Sequence, residues 1–135
     1  MNAATPPGKA AAPAYWQRAK RALAGRDAVM RDILRSHPRI ALRGRGDAFQ
    51  TLARSIVGQQ ISVKAADSVW SKLCGVSPAM RSAEIARARR SRLRAAGLSG
   101  RKAEYLHELA RRFCDGSLNP AQWSGMDDES VIDAL

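Results

Sequence analysis

Arg54-Ser55-Ile56-Val57-Gly58-Gln59-Gln60-Ile61-Ser62-Val63-Lys64 joins two segments of helical pattern through a pair of adjacent glutamines. Upstream of the pair, Asp47 followed by Gln50 has the form of a capping box. The apolar set Phe49, Leu52, Ala53, Ile56 and Val57 then keeps the i, i+3, i+4, i+7, i+8 spacing of one helix face as far as Gly58. Downstream, Ser62 is placed to cap a helix that carries Val63, Ala66, Trp70 and Leu73 and ends at Gly75. A tight turn between them directs the amides of Gln59 and Gln60 outward. Ser62 and the backbone N–H groups after it are placed to receive a phosphate, and Lys64 adds positive charge there. A solvated helix-to-helix loop fits the same spacing.

The stretch Leu93-Arg94-Ala95-Ala96-Gly97-Leu98-Ser99-Gly100-Arg101-Lys102-Ala103-Glu104-Tyr105-Leu106 repeats this logic with a glycine-bearing turn, a Ser99 cap and a basic pair in the first helical turn. Cations at a helix N-terminus oppose the helix dipole, so Arg101 and Lys102 point to a nearby anion such as a phosphate. Further helices are expected on either side. Trp16, Ala19 and Leu23 share one face, and Val29, Ile33 and Leu34 share another between Gly25 and Pro38. Ser77-Pro78 has the cap-then-proline order of a helix start. Ala103, Leu106, Ala110 and Phe113 line a helix that stops near Gly116, Asn119-Pro120 opens a short turn of helix, and Asp127 caps a last one running to Leu135. No segment alternates with period two, so the expected fold class is all-α. Residues 1–13, rich in Ala and Pro, are expected to form a flexible tail before a helical domain over 14–135.

Charge narrows the partners. The 135 residues carry 23 Lys and Arg against 12 Asp and Glu, a net charge of +11, and 18 of the 23 are Arg. Residues 81–112 alone hold 10 basic and 3 acidic side chains, whereas residues 113–135 hold no basic and 5 acidic ones. A polyanion, nucleic acid first, is the expected partner. No apolar run approaches the roughly 18 to 20 residues of a spanning helix, and none resembles a secretory signal, so a soluble cytoplasmic protein is expected. Cys74 and Cys114 lie far apart with no metal-binding or redox spacing; they read as small apolar fillers, and no metal or cofactor is expected.

Taken together, Gly46-Asp47-Ala48-Phe49, then Gly58-Gln59-Gln60-Ile61-Ser62, then Gly97-Leu98-Ser99 with Arg101-Lys102-Ala103 resemble the DNA-3-methyladenine glycosylase II family of the helix-hairpin-helix base-excision DNA glycosylases. The resemblance runs from about Pro13 to Leu135. It implies a monomeric, monofunctional enzyme acting on alkylated purines in double-stranded DNA, which flips the nucleotide out and hydrolyses its N-glycosidic bond. Flipping leaves a gap in the stack. The resemblance places Gln60 at the intercalating position with Gln59 beside it, and makes Ser62, Lys64, Ser99, Arg101 and Lys102 the remaining DNA contacts.

The family's Gly-x-Gly hairpin and catalytic Asp have no counterpart here, so the domain is expected to be incomplete at its C-terminus and the chain alone inactive, with no catalytic residue assigned. Asp127, Asp128 and Glu129 read as a first-turn acidic cluster satisfied by the dipole. Asp47 reads as a cap, His107 as an exposed surface residue, His37 as partnerless, and Trp16, Trp70 and Trp123 as core. Two rivals stay open: a non-enzymatic, Arg-rich helical DNA-binding module, and a fragment too incomplete to fold.

Overall fold

The structure, a computed structural model, describes residues 12–42 and 47–135. Most of the expected tail, residues 1–11, and Gly46 of the quoted motif lie outside the described residues. Among the described residues there are nine helices and no strand, in agreement with the all-α expectation. Contacts gather into two units, residues 1–46 and 47–135.

The first unit is a helical hairpin of α1 (Trp16–Arg26) and α2 (Ala28–Ser36). Asp27, whose carboxylate accepts from the Met30 N–H at 3.0 Å, ends one helix and caps the next, so the break falls two residues past Gly25. The Trp16 indole N–H donates to the Ile40 carbonyl at 3.3 Å and ties the following segment back to the hairpin. No residue of either helix is buried. Trp16 is only half-buried, and Leu23, Val29 and Ile33 of the expected apolar faces are exposed.

The second unit holds the core. It comprises α3 (Ala48–Gly58), α4 (Val63–Val76), α5 (Ser82–Arg87), α6 (Arg90–Ala95), α7 (Gly100–Asp115), α8 (Pro120–Trp123) and α9 (Asp128–Ala134). Phe49, Ala53 and Val57 of α3 meet Ala103, Leu106 and Ala110 of α7, and Leu73, Ile85 and Leu93 from α4, α5 and α6 complete the cluster. Helical spacing selects those of α3, α4 and α7 but not Ile85 or Leu93, and small residues on α7 admit the larger side chains of its neighbours. Phe49, Phe113 and Trp123 extend the packing edge to face, with ring centroids 5.4 and 6.3 Å apart. Val63, expected on the apolar face of α4, is instead 79% exposed at its first turn. His107 is half-buried rather than exposed, and Cys114 is exposed rather than a filler.

Helix starts follow the local chemistry. The side chains of Asp47, Ser62, Ser99, Asn119 and Asp127 each accept a backbone N–H at the start of the helix that follows. The capping box at Asp47 closes on one side only: Gln50 N–H donates to Asp47 at 2.8 Å, but the Gln50 side-chain amide goes to the Ala79 carbonyl at 3.2 Å. Ser77 behaves differently from its expected role. It ends α4, and Ser77-Pro78-Ala79-Met80 forms a turn that delays α5 to Ser82. Buried in that turn, the Ser77 hydroxyl accepts from the Arg81 N–H at 3.0 Å and donates to the Glu84 carboxylate at 2.5 Å, so a polar group without access to water is fully paired.

Candidate functional site

The two glutamines and the Gly97 turn come together. Gln59, Gln60 and Ile61 line one side of a cleft of about 270 Å³, and Gly97, Leu98 and Ser99 line another, with Lys102 also in its wall. Both turns deliver the chain into a long helix, α4 of 14 residues and α7 of 16.

The helix starts are built alike. Ser62 Oγ accepts from the Ala65 N–H and Ser62 O from the Ala66 N–H. Ser99 Oγ accepts from the Lys102 N–H and Ser99 O from the Ala103 N–H. A serine cap takes the third and fourth amides of a helix and leaves the first two facing outward. Those are Val63 and Lys64 on α4 and Gly100 and Arg101 on α7. Neither helix carries a carboxylate in its first turn, so each positive dipole end is left to an outside anion. By contrast α9 begins with Asp128 and Glu129 and answers its own dipole.

Gln60 stands out on the backbone. Its φ is +56°, the left-handed region that costs a side-chain-bearing residue roughly 1–2 kcal/mol, and its side chain is exposed. Strain of this kind persists where the surroundings over-determine the conformation. Gly97 turns the other loop at φ +108°, where a Cβ would stand 3.1 Å from Val69 Cγ2, so any other residue is strained there.

The seven positions expected at the site divide into two groups. Gln59, Gln60, Ser99 and Lys102 line the cleft. Ser62 caps α4 just beyond it, and Lys64 and Arg101 are exposed in the first turns of the two helices. Lys102 has partners that spacing did not suggest: its ammonium donates to the carbonyls of Val57 at 2.9 Å and Gln59 at 2.6 Å. Spacing also missed Val57, Ile61, Val69 and Leu98 as cleft-lining residues, since an apolar residue at helical period reads as core.

Among the described residues no carboxylate lines this cleft. Two of the acids raised as alternatives serve as caps: Asp47 accepts from the Gln50 N–H, and Asp127 accepts from the Ser130 N–H at 2.8 Å. That bond and the Ser130 hydroxyl hold the Asp127 carboxyl below its ordinary value, which suits a cap and not a proton donor. Trp70 stacks under the Arg54 guanidinium, 5.1 Å from its ring centroid, and Arg54 pairs with Asp67 at 2.6 Å. Among the described residues no group of three His, Cys, Asp or Glu is placed to hold a metal ion, and no helix is long and apolar enough to cross a membrane.

Residues 53–133 match the family model of the HhH-GPD superfamily base excision DNA repair proteins. Among solved structures, the chain is similar to a DNA-3-methyladenine glycosidase from Bacillus halodurans, at 30% identity and a TM-score of 0.66, covering 71% of this chain and 45% of that one. It also shares its fold with a 3-methyladenine DNA glycosylase from Schizosaccharomyces pombe in complex with abasic DNA, at 21% identity and a TM-score of 0.77, covering 87% of this chain and 61% of that one. The chain thus spans about half to three fifths of the length of these two proteins. No curated protein matches it.

Proposed function

Because the chain belongs to the HhH-GPD superfamily of base excision DNA repair proteins, we propose that it is the DNA-engaging portion of a glycosylase that removes alkylated purines of the 3-methyladenine type. The observation that carries this reading is the convergence of the Gln59-Gln60 turn and the Gly97–Ser99 turn on one cleft, each turn leading into a serine-capped helix. Each part has a task in handling a flipped nucleotide. The outward amides at the starts of α4 and α7, with Lys64 and Arg101 beside them, are suited to two backbone phosphates. Gln60 fills the space that the extruded base vacates, and its amide can bond an orphaned partner base, while Gln59 lies next to it.

The chemistry of base release fits this division of labour. An alkylated purine is already a cationic leaving group, so the enzyme's main tasks are to stabilise the developing positive charge on the sugar and to orient water. A carboxylate near the flipped nucleotide would serve. The cleft holds none, and we therefore assign hydrolysis to no residue among these 135 and expect the chain by itself to bind DNA without releasing bases. The same reading has it act as a monomer in the cytoplasm, without a cofactor.

A non-enzymatic DNA-binding module is the second reading. It is favoured by Arg87, Arg89, Arg90, Arg92 and Arg94, which are all exposed within eight residues spanning the end of α5 and most of α6; Arg90 pairs with Glu104 at 3.7 Å. Binding to a duplex with a central abasic site and to the matched intact duplex, across a salt series, separates the two. A flipping scaffold prefers the abasic duplex, and Gln60→Ala abolishes that preference. Equal binding to both duplexes at every salt concentration would leave the general binder.

A further inference from the structure

We infer that Lys102 is a positioning residue that holds the Gln59-Gln60 turn in its working shape, and that it is not a phosphate contact; this rests on the reading of that turn as the wedge. Lys102 sits in a local electrostatic conflict. Lys102 stands in the first turn of α7, the positive end of that helix, where a cation is disfavoured. The side chain resolves it within the protein. The side chain leaves its own helix and reaches the C-terminal end of α3, donating to Val57 O at 2.9 Å and to Gln59 O at 2.6 Å. Those carbonyls belong to the last turn and cap of α3, where no intrahelical N–H remains to pair them and the dipole is negative. One ammonium therefore satisfies two orphan acceptors of a neighbouring helix. Two of its three donors are committed to protein, and it is half-buried, whereas Arg101 and Lys64 are exposed.

The consequence falls on Gln60. Fixing the Gln59 carbonyl fixes the peptide plane that enters Gln60, and Gln60 is the residue at φ +56°. Lys102 is itself anchored through its backbone, whose N–H donates to Ser99 Oγ at 3.2 Å. The conformation of one turn is thus held by the cap of the other. The elements are 43 and 45 residues apart in sequence, and one side chain spans them.

The test compares the whole 135-residue chain with Lys102→Met, which keeps the length of the side chain and removes its donors. Binding is measured to an abasic duplex and its intact counterpart across a salt series. A positioning role predicts that the ratio of the two affinities falls about tenfold, or to unity if it starts lower, as expected for loss of charge-assisted hydrogen bonds. The slope of log K on log salt stays at the parental value, and Lys102→Arg, which keeps donors and charge, restores part of the ratio. Loss of a phosphate contact would instead lower the slope by about 0.9, the result expected for Arg101→Met. A lowered slope in Lys102→Met, or an unchanged affinity ratio in a variant that melts like the parent, overturns the proposal.

Amide hydrogen exchange provides a readout independent of DNA. In Lys102→Met the amide of Gln59, which donates to the Ile56 carbonyl at 3.4 Å, exchanges faster while that of Leu106 in the core does not; equal acceleration at both means general destabilisation and also overturns the proposal. If the parent chain itself binds both duplexes equally, the wedge reading fails, and the exchange data still decide whether Lys102 holds the turn.

Discussion

The turn at Gln59-Gln60 and the turn at Gly97 do the same topological work, each leading through a short turn into a serine-capped helix, yet they solve the backbone problem in opposite ways. At Gly97 the left-handed conformation is assigned to the one residue that adopts it freely, between buried Ala96 and Leu98. At Gln60 a residue with a long side chain takes that conformation, on the surface, and a lysine from the other turn secures the preceding carbonyl. A turn needed only for shape has no reason to place a glutamine there. The first is therefore the packing turn and the second the one that displays a side chain.

Exchanging the two solutions gives the largest expected effect. Gly97→Ala forces a Cβ against Val69 at 3.1 Å with φ at +108°, and is expected to cost about 1–3 kcal/mol, read as a lower urea midpoint at unchanged slope. The converse change, Gln60→Gly, relieves the strained backbone at the expense of a more flexible unfolded chain, so stability is expected to move by less than about 1 kcal/mol. Comparable losses from the two substitutions would erase the distinction between the turns.

A smaller effect sharpens the comparison by asking whether the turns are one unit. Ser62→Ala and Ser99→Ala each remove a cap and are expected to cost about 1 kcal/mol. Ser99 also anchors the backbone of Lys102, and through it the carbonyl of Gln59. The double variant is therefore expected to depart from the sum by about 0.5 kcal/mol or more, whereas independent sites add within about that figure. Strict additivity in urea melts would show that Lys102 transmits nothing between them.

The same contrast explains what could be read before any coordinates. Caps are decided within four residues, so Asp47, Ser62, Ser99, Asn119 and Asp127 were legible one by one, and with them the starts of five helices. The start of α5 was expected at Ser77-Pro78 and α6 was not read at all, because each has six residues and follows an N-cap arginine, Arg81 or Arg89, that offers no side-chain cap. The site was half legible. Its two turns and their serines could be picked out, but the destination of Lys102 lies more than 40 residues away and reads locally as a misplaced charge. The left-handed Gln60 and Met80 were equally invisible, since neither residue type announces a positive φ. Met80 is held there by burial in the core, Gln60 by a tether.

The smallest expected effect concerns a third helix start, that of α9, where a carboxylate replaces the serine. Asp127 accepts from the Ser130 N–H, and that bond, with the Ser130 hydroxyl beside it, holds its carboxyl below the ordinary value of 3.8. A folded-state value below the unfolded one means that the unfolded chain binds the proton more readily. The cap therefore stabilises fully above the unfolded value and loses that contribution as pH falls through the folded one. Following the Ser130 amide resonance from about pH 6 to about pH 2 should show a transition below 3.8, with the Ala65 and Lys102 amides, held by serine hydroxyls, flat across the same window. Asp115, held low by the Ser117 hydroxyl, then by its N–H, with help from Arg111 and Arg112, is expected to titrate in the same direction. Because both carboxylates are exposed, the change stays local and the core melts as before. A Ser130 transition at or above 3.8 would show that the cap at α9 is not formed in solution. A transition shared by Lys102 would show that the serine-capped starts respond to the acidic C-terminal segment, and the separation drawn here between helix starts that await an anion and one that carries its own would then fail.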